Sequence, residues 1–210
     1  MNTDYIAPFN ALRNRKARLT AVLLITIGVI LSSVVSLQIL HKSREEERLK
    51  LETLTSSSCA NHARSVTSYI LLFLKNTSLL LPKGETTEDV LPIICRQSMG
   101  VNVSHKLQAF RCPGDSSGND TPYCYVGQGL MSATVKNKSA LVFFCPATCH
   151  AGRFYHSHAM IGDELVCVTD KRDMAQILQH AIQQAVSCDV PYSDSAIYIL
   201  RKELALCRLP

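Results

Sequence analysis

Hydrophobic and polar positions alternate in blocks along this chain. Leu19 to Leu40 (LTAVLLITIGVILSSVVSLQIL) is an uncharged run of twenty-two residues, and a bilayer core of ~30 Å takes about 20 helical residues to cross. The run predicts a transmembrane signal-anchor helix over 19–40. A cleaved signal peptide, with its h-region of about 7–15 residues, would be shorter, although Ser32, Ser33 and Ser36 could mimic a cleavage site. Residues 41–58 (HKSREEERLKLETLTSSS) are polar and begin helix-prone, so a helix is expected to continue into a stalk. Leu37, Leu40, Leu51 and Leu54 fall on heptad positions, but Arg44 and Glu47 stand in the middle heptad, which favours a solvated spacer over a coiled coil. Val66 to Leu81 is the second most hydrophobic stretch. Lys75 and Asn76 split it, so it reads as core, not as a second span or a fusion peptide.

Farther along, Glu85 to Leu91 opens a short helix, its acids placed where the helix dipole favours them, with Cys95 at its end. Cys112 to Thr121 (CPGDSSGNDT) has the composition of an exposed loop. Short strands are predicted at Tyr123–Val126, Ala140–Cys145, Leu165–Thr169 and Ala196–Leu200. Between the last two, Thr169 or Asp170 can cap a helix running to about Ser187, with Met174, Ile177, Leu178, Ala181, Ile182, Ala185 and Val186 as one apolar stripe. The fold class expected is α+β: an N-terminal transmembrane helix followed by a small disulfide-rich mixed domain. Its parts are a cytoplasmic tail (1–18), the anchor (19–40), a stalk (41–58) and a glycosylated ectodomain (59–210).

Charge and cysteines set the orientation. Of the net +5, Arg13, Arg15, Lys16 and Arg18 against Asp4 contribute +3 ahead of the anchor, which places the N-terminus in the cytosol by the positive-inside rule. No basic cluster interleaved with aromatics follows residue 60, so a nucleic-acid partner is not expected. Four sequons, at Asn76, Asn102, Asn119 and Asn137, all lie beyond the anchor. So do all nine cysteines: Cys59, Cys95, Cys112, Cys124, Cys145, Cys149, Cys167, Cys188 and Cys207. Both facts point to an oxidising compartment and a disulfide framework. Because nine is odd, one thiol stays free or pairs with another chain. Cys59, at the junction of stalk and domain, is the candidate for a disulfide-linked homodimer.

Candidate chemistry is sparse. Cys145-Pro-Ala-Thr-Cys149-His150, with His156 and His158 nearby, is the one cluster with zinc-ligand residue types. An oxidising compartment favours disulfides there, so neither a metal nor another cofactor is expected. Gly127-Gln128-Gly129 reads as a turn, being too short for a phosphate loop. No catalytic residue is assigned, so the chain is not expected to be an enzyme. Histidines such as His156 and His158 titrate near endosomal pH and could act as a switch.

Three segments carry a resemblance. Lys16-Ala17-Arg18-Leu19 leads directly into a span containing Gly and Val. Thr87-Glu88-Asp89-Val90 with Cys95 is similar to a lectin-domain helix that ends in cysteine. The closing segment runs from Cys188 through Pro191-Tyr192 to Leu204-Ala205-Leu206 and Leu209-Pro210. Together they resemble the small type II envelope glycoproteins of alphaherpesviruses, whose ectodomain is described as C-type-lectin-like. The resemblance implies a single-pass type II protein of the virion envelope and host-cell membrane. Such a protein would contact other envelope glycoproteins and modulate fusion or spread. The alternative is a host-directed lectin-like binding module, a ligand or decoy for an immune receptor. The chain has no tryptophan and no Glu-Pro-Asn, Gln-Pro-Asp or Trp-Asn-Asp triplet, so calcium-dependent sugar binding is not implied.

Overall fold

The computed structural model describes residues 7–102, 111–113, 121–149 and 155–208, and within the first helix the side chains of 30–50, 53–54 and 57–76. Two units are distinguished, Met1–Lys50 and Leu51–Pro210. Helix α1, Ala7–Asn76, contributes to both.

In the first unit Ile30, Leu31, Val34, Val35, Leu37, Ile39 and Leu40 are exposed. Among the described residues no helix is long and apolar enough to cross a membrane, which corrects the expectation of a transmembrane helix at 19–40. The side chains of 19–29 lie outside the described residues. A membrane-length window that starts at Ile30 runs along α1 into Lys42, Arg44, Glu45, Glu46 and Glu47, charges that hydrocarbon does not accommodate. The helix expected to continue through 41–58 is there, as part of α1.

The second unit is mixed α+β. Its first element is the end of α1, where Cys59, Ala63, Val66, Ile70 and Phe73 are all buried. Their spacing of three and four residues puts them on one helical face, so the helical part of the 66–81 stretch is core as expected, whereas Leu79 and Leu80 beyond it are exposed. Helix α2, Thr87–Met99, buries Val90, Leu91, Ile94 and Cys95. Asp89 starts it by accepting hydrogen bonds from the Thr86 backbone N–H (2.9 Å) and hydroxyl (2.8 Å). Gly100 ends it at φ +67°, a left-handed conformation that side chains with a Cβ rarely adopt.

Four antiparallel strands follow in spatial order β1-β2-β3-β4: Cys124–Tyr125, Leu141–Phe144, Ser157–Ile161 and Glu164–Val168. β2 is buried at four consecutive positions, which requires cover on both faces of the sheet. The short edge strand β1 is not left open. Thr87 N–H donates to Tyr123 O and Tyr125 N–H to Glu85 O, so the approach to α2 caps that edge. β3 and β4 form a hairpin closed by Gly162-Asp163, with Gly162 at φ +62°. The Gly127–Gly129 segment is a turn as read, tied to the core by Gly129 N–H to Leu81 O. A Cβ on Gly127 would stand 2.8 Å from Val142 Cγ1, so this position has no room for one.

The small helix α3, Ser132–Asn137, and strand β3 were not anticipated. Helix α4, Lys171–Val186, is the expected one: Asp170 caps it by accepting from Arg172 N–H at 2.7 Å, and Met174, Leu178 and Ala181 are buried. Val186 departs from the expected stripe and is exposed. The strand expected at Ala196–Leu200 is instead part of helix α5, Asp194–Cys207. The Ser193 hydroxyl caps α5 by accepting from Ala196 N–H. Ala196, Leu200, Leu204 and Cys207 repeat at helical spacing, and that periodicity outweighs the branched residues of Ala196–Leu200. α5 packs along α4, which in turn rests on β4. The last described elements of the chain are thus two helices.

Burial ranks the positions on α4. Leu178→Ala should destabilise the domain by about 2–5 kcal/mol through lost contacts and a cavity, whereas exposed Val186→Ala should shift stability by less than ~0.5 kcal/mol. Urea denaturation of the two variants checks this, and equal effects would place the stripe against something other than this core.

Candidate functional site

The buried centre of the domain gathers cysteines from distant parts of the chain. Cys59 comes from α1, Cys112 from the segment after α2, and Cys145 from the end of β2; all are fully buried. The Cys59 sulfur stands 3.5 Å from Cys145 Sγ, 3.6 Å from Cys112 Sγ and 3.4 Å from His158 Nδ1. Cys149 joins the group by hydrogen bonding with Cys112. The Tyr123 hydroxyl lies 3.6 Å from the Cys59 sulfur and donates to the Cys59 carbonyl at 3.1 Å. All nine cysteines are present as thiols.

Local structure explains the convergence. Cys145 and His158 face each other at the end of the β2–β3 ladder: Cys145 N–H donates to His158 O at 2.9 Å, and His158 N–H points at Cys145 Sγ at 3.3 Å. His158 in turn pairs across β3–β4 with Cys167. The Cys112 segment is clamped from two sides. His62, one turn after Cys59 on α1, donates from Nδ1 to Arg111 O at 2.7 Å, and the Arg111 guanidinium forks onto Glu88 of α2 at 2.6 and 2.9 Å. An antiparallel bridge between Cys112 and Thr121 closes the base of the loop. On the far side, the buried Glu203 carboxylate accepts from Ala147 N–H at 2.7 Å and so fixes the turn that carries Cys149.

A second, shallower group adjoins the first. His156, His158 and Cys167 place their ligand atoms within 4.8 Å of one another. Cys167 Sγ is 3.6 Å from His156 Nε2, and the two imidazoles meet edge to face at 4.9 Å. Cys167 is exposed, so this group opens to solvent.

Burial decides the electrostatics. Hydrogen bonding with Cys145, Cys149 and Cys59, reinforced by desolvation, holds the Cys112 thiol protonated far above its ordinary range. Desolvation does the same to Cys145 and to the Tyr123 hydroxyl. A protonated, inaccessible thiol is a poor nucleophile, so these sulfurs are not arranged to attack a substrate. They are arranged to meet one another.

The sequence cluster is thus only partly the spatial one. Cys145 meets His158, Cys149 joins the buried sulfurs through Cys112, and His156 belongs to the shallower group; His150 lies outside the described residues. Reading along the chain missed Cys59, Cys112 and Cys167, whose partners are distant in sequence but adjacent in space. Cys59, expected to reach another chain, is instead sealed in the core; the exposed thiols are Cys167 and Cys188. Cys95 and Cys207 are buried and Cys124 is half-buried. No family model matches the chain, and no curated protein or solved structure matches it either.

Of the sequon asparagines, Asn76 at the end of α1, Asn102 beyond α2 and Asn137 at the end of α3 are exposed, and Asn119 lies outside the described residues. Single Asn→Gln changes at 76, 102 and 137 should each remove one glycan from protein made in mammalian cells, read as stepwise mass loss. An unchanged mass in all three would refute glycosylation at these sites.

Proposed function

We propose that this protein is a non-enzymatic glycoprotein of the virion envelope and host-cell membrane that contacts other envelope glycoproteins and modulates membrane fusion or spread. The supporting observation is the distribution of sequons along the chain. Every sequon lies before residue 140, and the three described ones are exposed. Helices α4 and α5 follow without any sequon and present the exposed apolar side chains Val186 and Tyr198. Bulky sugars would cover the surface around the sequons, Asn137 beside the end of α4 included, leaving α5 as the protein face available to a partner.

The test is a glycan wedge. Pro191 is exposed between α4 and α5, and Pro191→Asn creates a sequon with Ser193. That variant, together with Tyr198→Ala, should change cell-to-cell fusion or plaque size while leaving protein abundance and particle assembly largely intact. If fusion and spread are unaltered and binding to a host receptor is lost, the chain is a host-directed ligand instead.

A further inference from the structure

We infer that Cys59, Cys112, Cys145 and His158 form a closed four-ligand site for a tetrahedral divalent metal ion, with zinc as the favoured ion. Bonds of ~2.3 Å to sulfur and ~2.0–2.1 Å to nitrogen give a tetrahedron with edges of roughly 3.7 Å between sulfurs and ~3.5 Å from sulfur to nitrogen. Cys59 Sγ sits 3.6 and 3.5 Å from the sulfurs of Cys112 and Cys145, and 3.4 Å from His158 Nδ1. The three sulfurs all lie within 4.8 Å of one another. A disulfide would give a different picture: it joins two sulfurs at about 2.05 Å and has no use for an imidazole nitrogen. Here one sulfur stands almost equally close to two other sulfurs and an imidazole nitrogen, and at disulfide distance from none of them.

The surroundings suit a bound ion. When it binds, three S–H protons leave for solvent, three metal–sulfur bonds form, and neutral His158 supplies the fourth through Nδ1. Three thiolates and a divalent ion leave one net negative charge in the core. His158 backbone N–H, at 3.3 Å from Cys145 Sγ, is a donor placed to stabilise it. The Arg111 clamp on Glu88 and His62 holds the Cys112 ligand in place from outside. The three cysteines are fully buried and His158 is 3% exposed, so water has no open coordination position and the site is structural, not catalytic. Three sulfurs and one nitrogen in a tetrahedral set suit zinc over the harder oxygen-seeking ions. The same burial shields the ligated sulfurs from soluble oxidants once the domain has folded around the ion. The site does not depend on the proposed function.

Elemental analysis of the purified full-length protein should find one zinc per chain, removed only by a strong chelator and with a fall in melting temperature. Cobalt(II) put in its place should give the intense visible bands of a tetrahedral ion and a thiolate-to-cobalt charge-transfer band. Cys145→Ser and His158→Gln should each lose the ion, while Cys188→Ser, at an exposed position, retains it. The wild-type cobalt spectrum decides the matter even where a variant fails to fold. Metal-free protein with a mapped Cys59–Cys112 or Cys59–Cys145 disulfide would overturn the site, as would an octahedral cobalt spectrum.

Discussion

The domain depends on burying one face of the last turns of α1. Cys59, Ala63, Val66, Ile70 and Phe73 recur at helical spacing and are all inaccessible, and each buried Val, Ile or Phe side chain contributes on the order of 1.5–3 kcal/mol relative to exposure. The four-stranded sheet buries all four positions of β2, so both of its faces need cover. α1 belongs to the same continuous core as Tyr123, Tyr125, Phe143 and Phe144. Tyr123 meets Phe143 edge to face at 5.4 Å, an arrangement aromatic rings prefer over a stacked sandwich.

Once that face is docked, the polar contacts around it become exacting. Cys59 is on the buried face, so its sulfur points into the core, and whatever surrounds it must satisfy it. His62, a turn later, reaches the Arg111 carbonyl from the flank of the same helix. The Arg111–Glu88 pair is bidentate but a third to a fifth exposed. It therefore contributes geometry more than stability. Its consequence is positional: the segment carrying Cys112 is held against two helices at once and cannot drift from Cys59.

Elements with local signals were legible in the sequence. α2 and α4 have capping residues and one-sided stripes, and β1, β2 and β4 lie inside runs of branched and aromatic residues. Where two local signals competed, the longer-range one won: Ala196–Leu200 has strand-like composition, but Ser193 and the recurrence through Leu204 to Cys207 make it helix. β3 was illegible because SHAMI carries little strand propensity of its own, and its place between β2 and β4 supplies what the residues lack. The apolar run at 19–40 was read by length and lack of charge alone, and the described part of α1 supplies no window that meets both conditions. The cysteine centre was half legible. Cys145 and His158 lie within one hairpin's reach, whereas Cys59 and Cys112 are 53 residues apart and meet only through the docking of α1.

This arrangement also changes what nine cysteines mean. The expectation of an unpaired thiol assumed that every cysteine seeks a disulfide, and an odd number then leaves one over. A centre that takes three sulfurs and one imidazole removes three from that count and leaves six: Cys95, Cys124, Cys149, Cys167, Cys188 and Cys207. Six is even, so the odd total does not require a bond to a second chain. Cys59 had been the natural candidate for such a bond because of its place next to the stalk. Its burial and its three close neighbours give it a different task, holding the helix to the sheet. An imidazole from β3 completes the set, so the odd number of cysteines is accounted for within one chain.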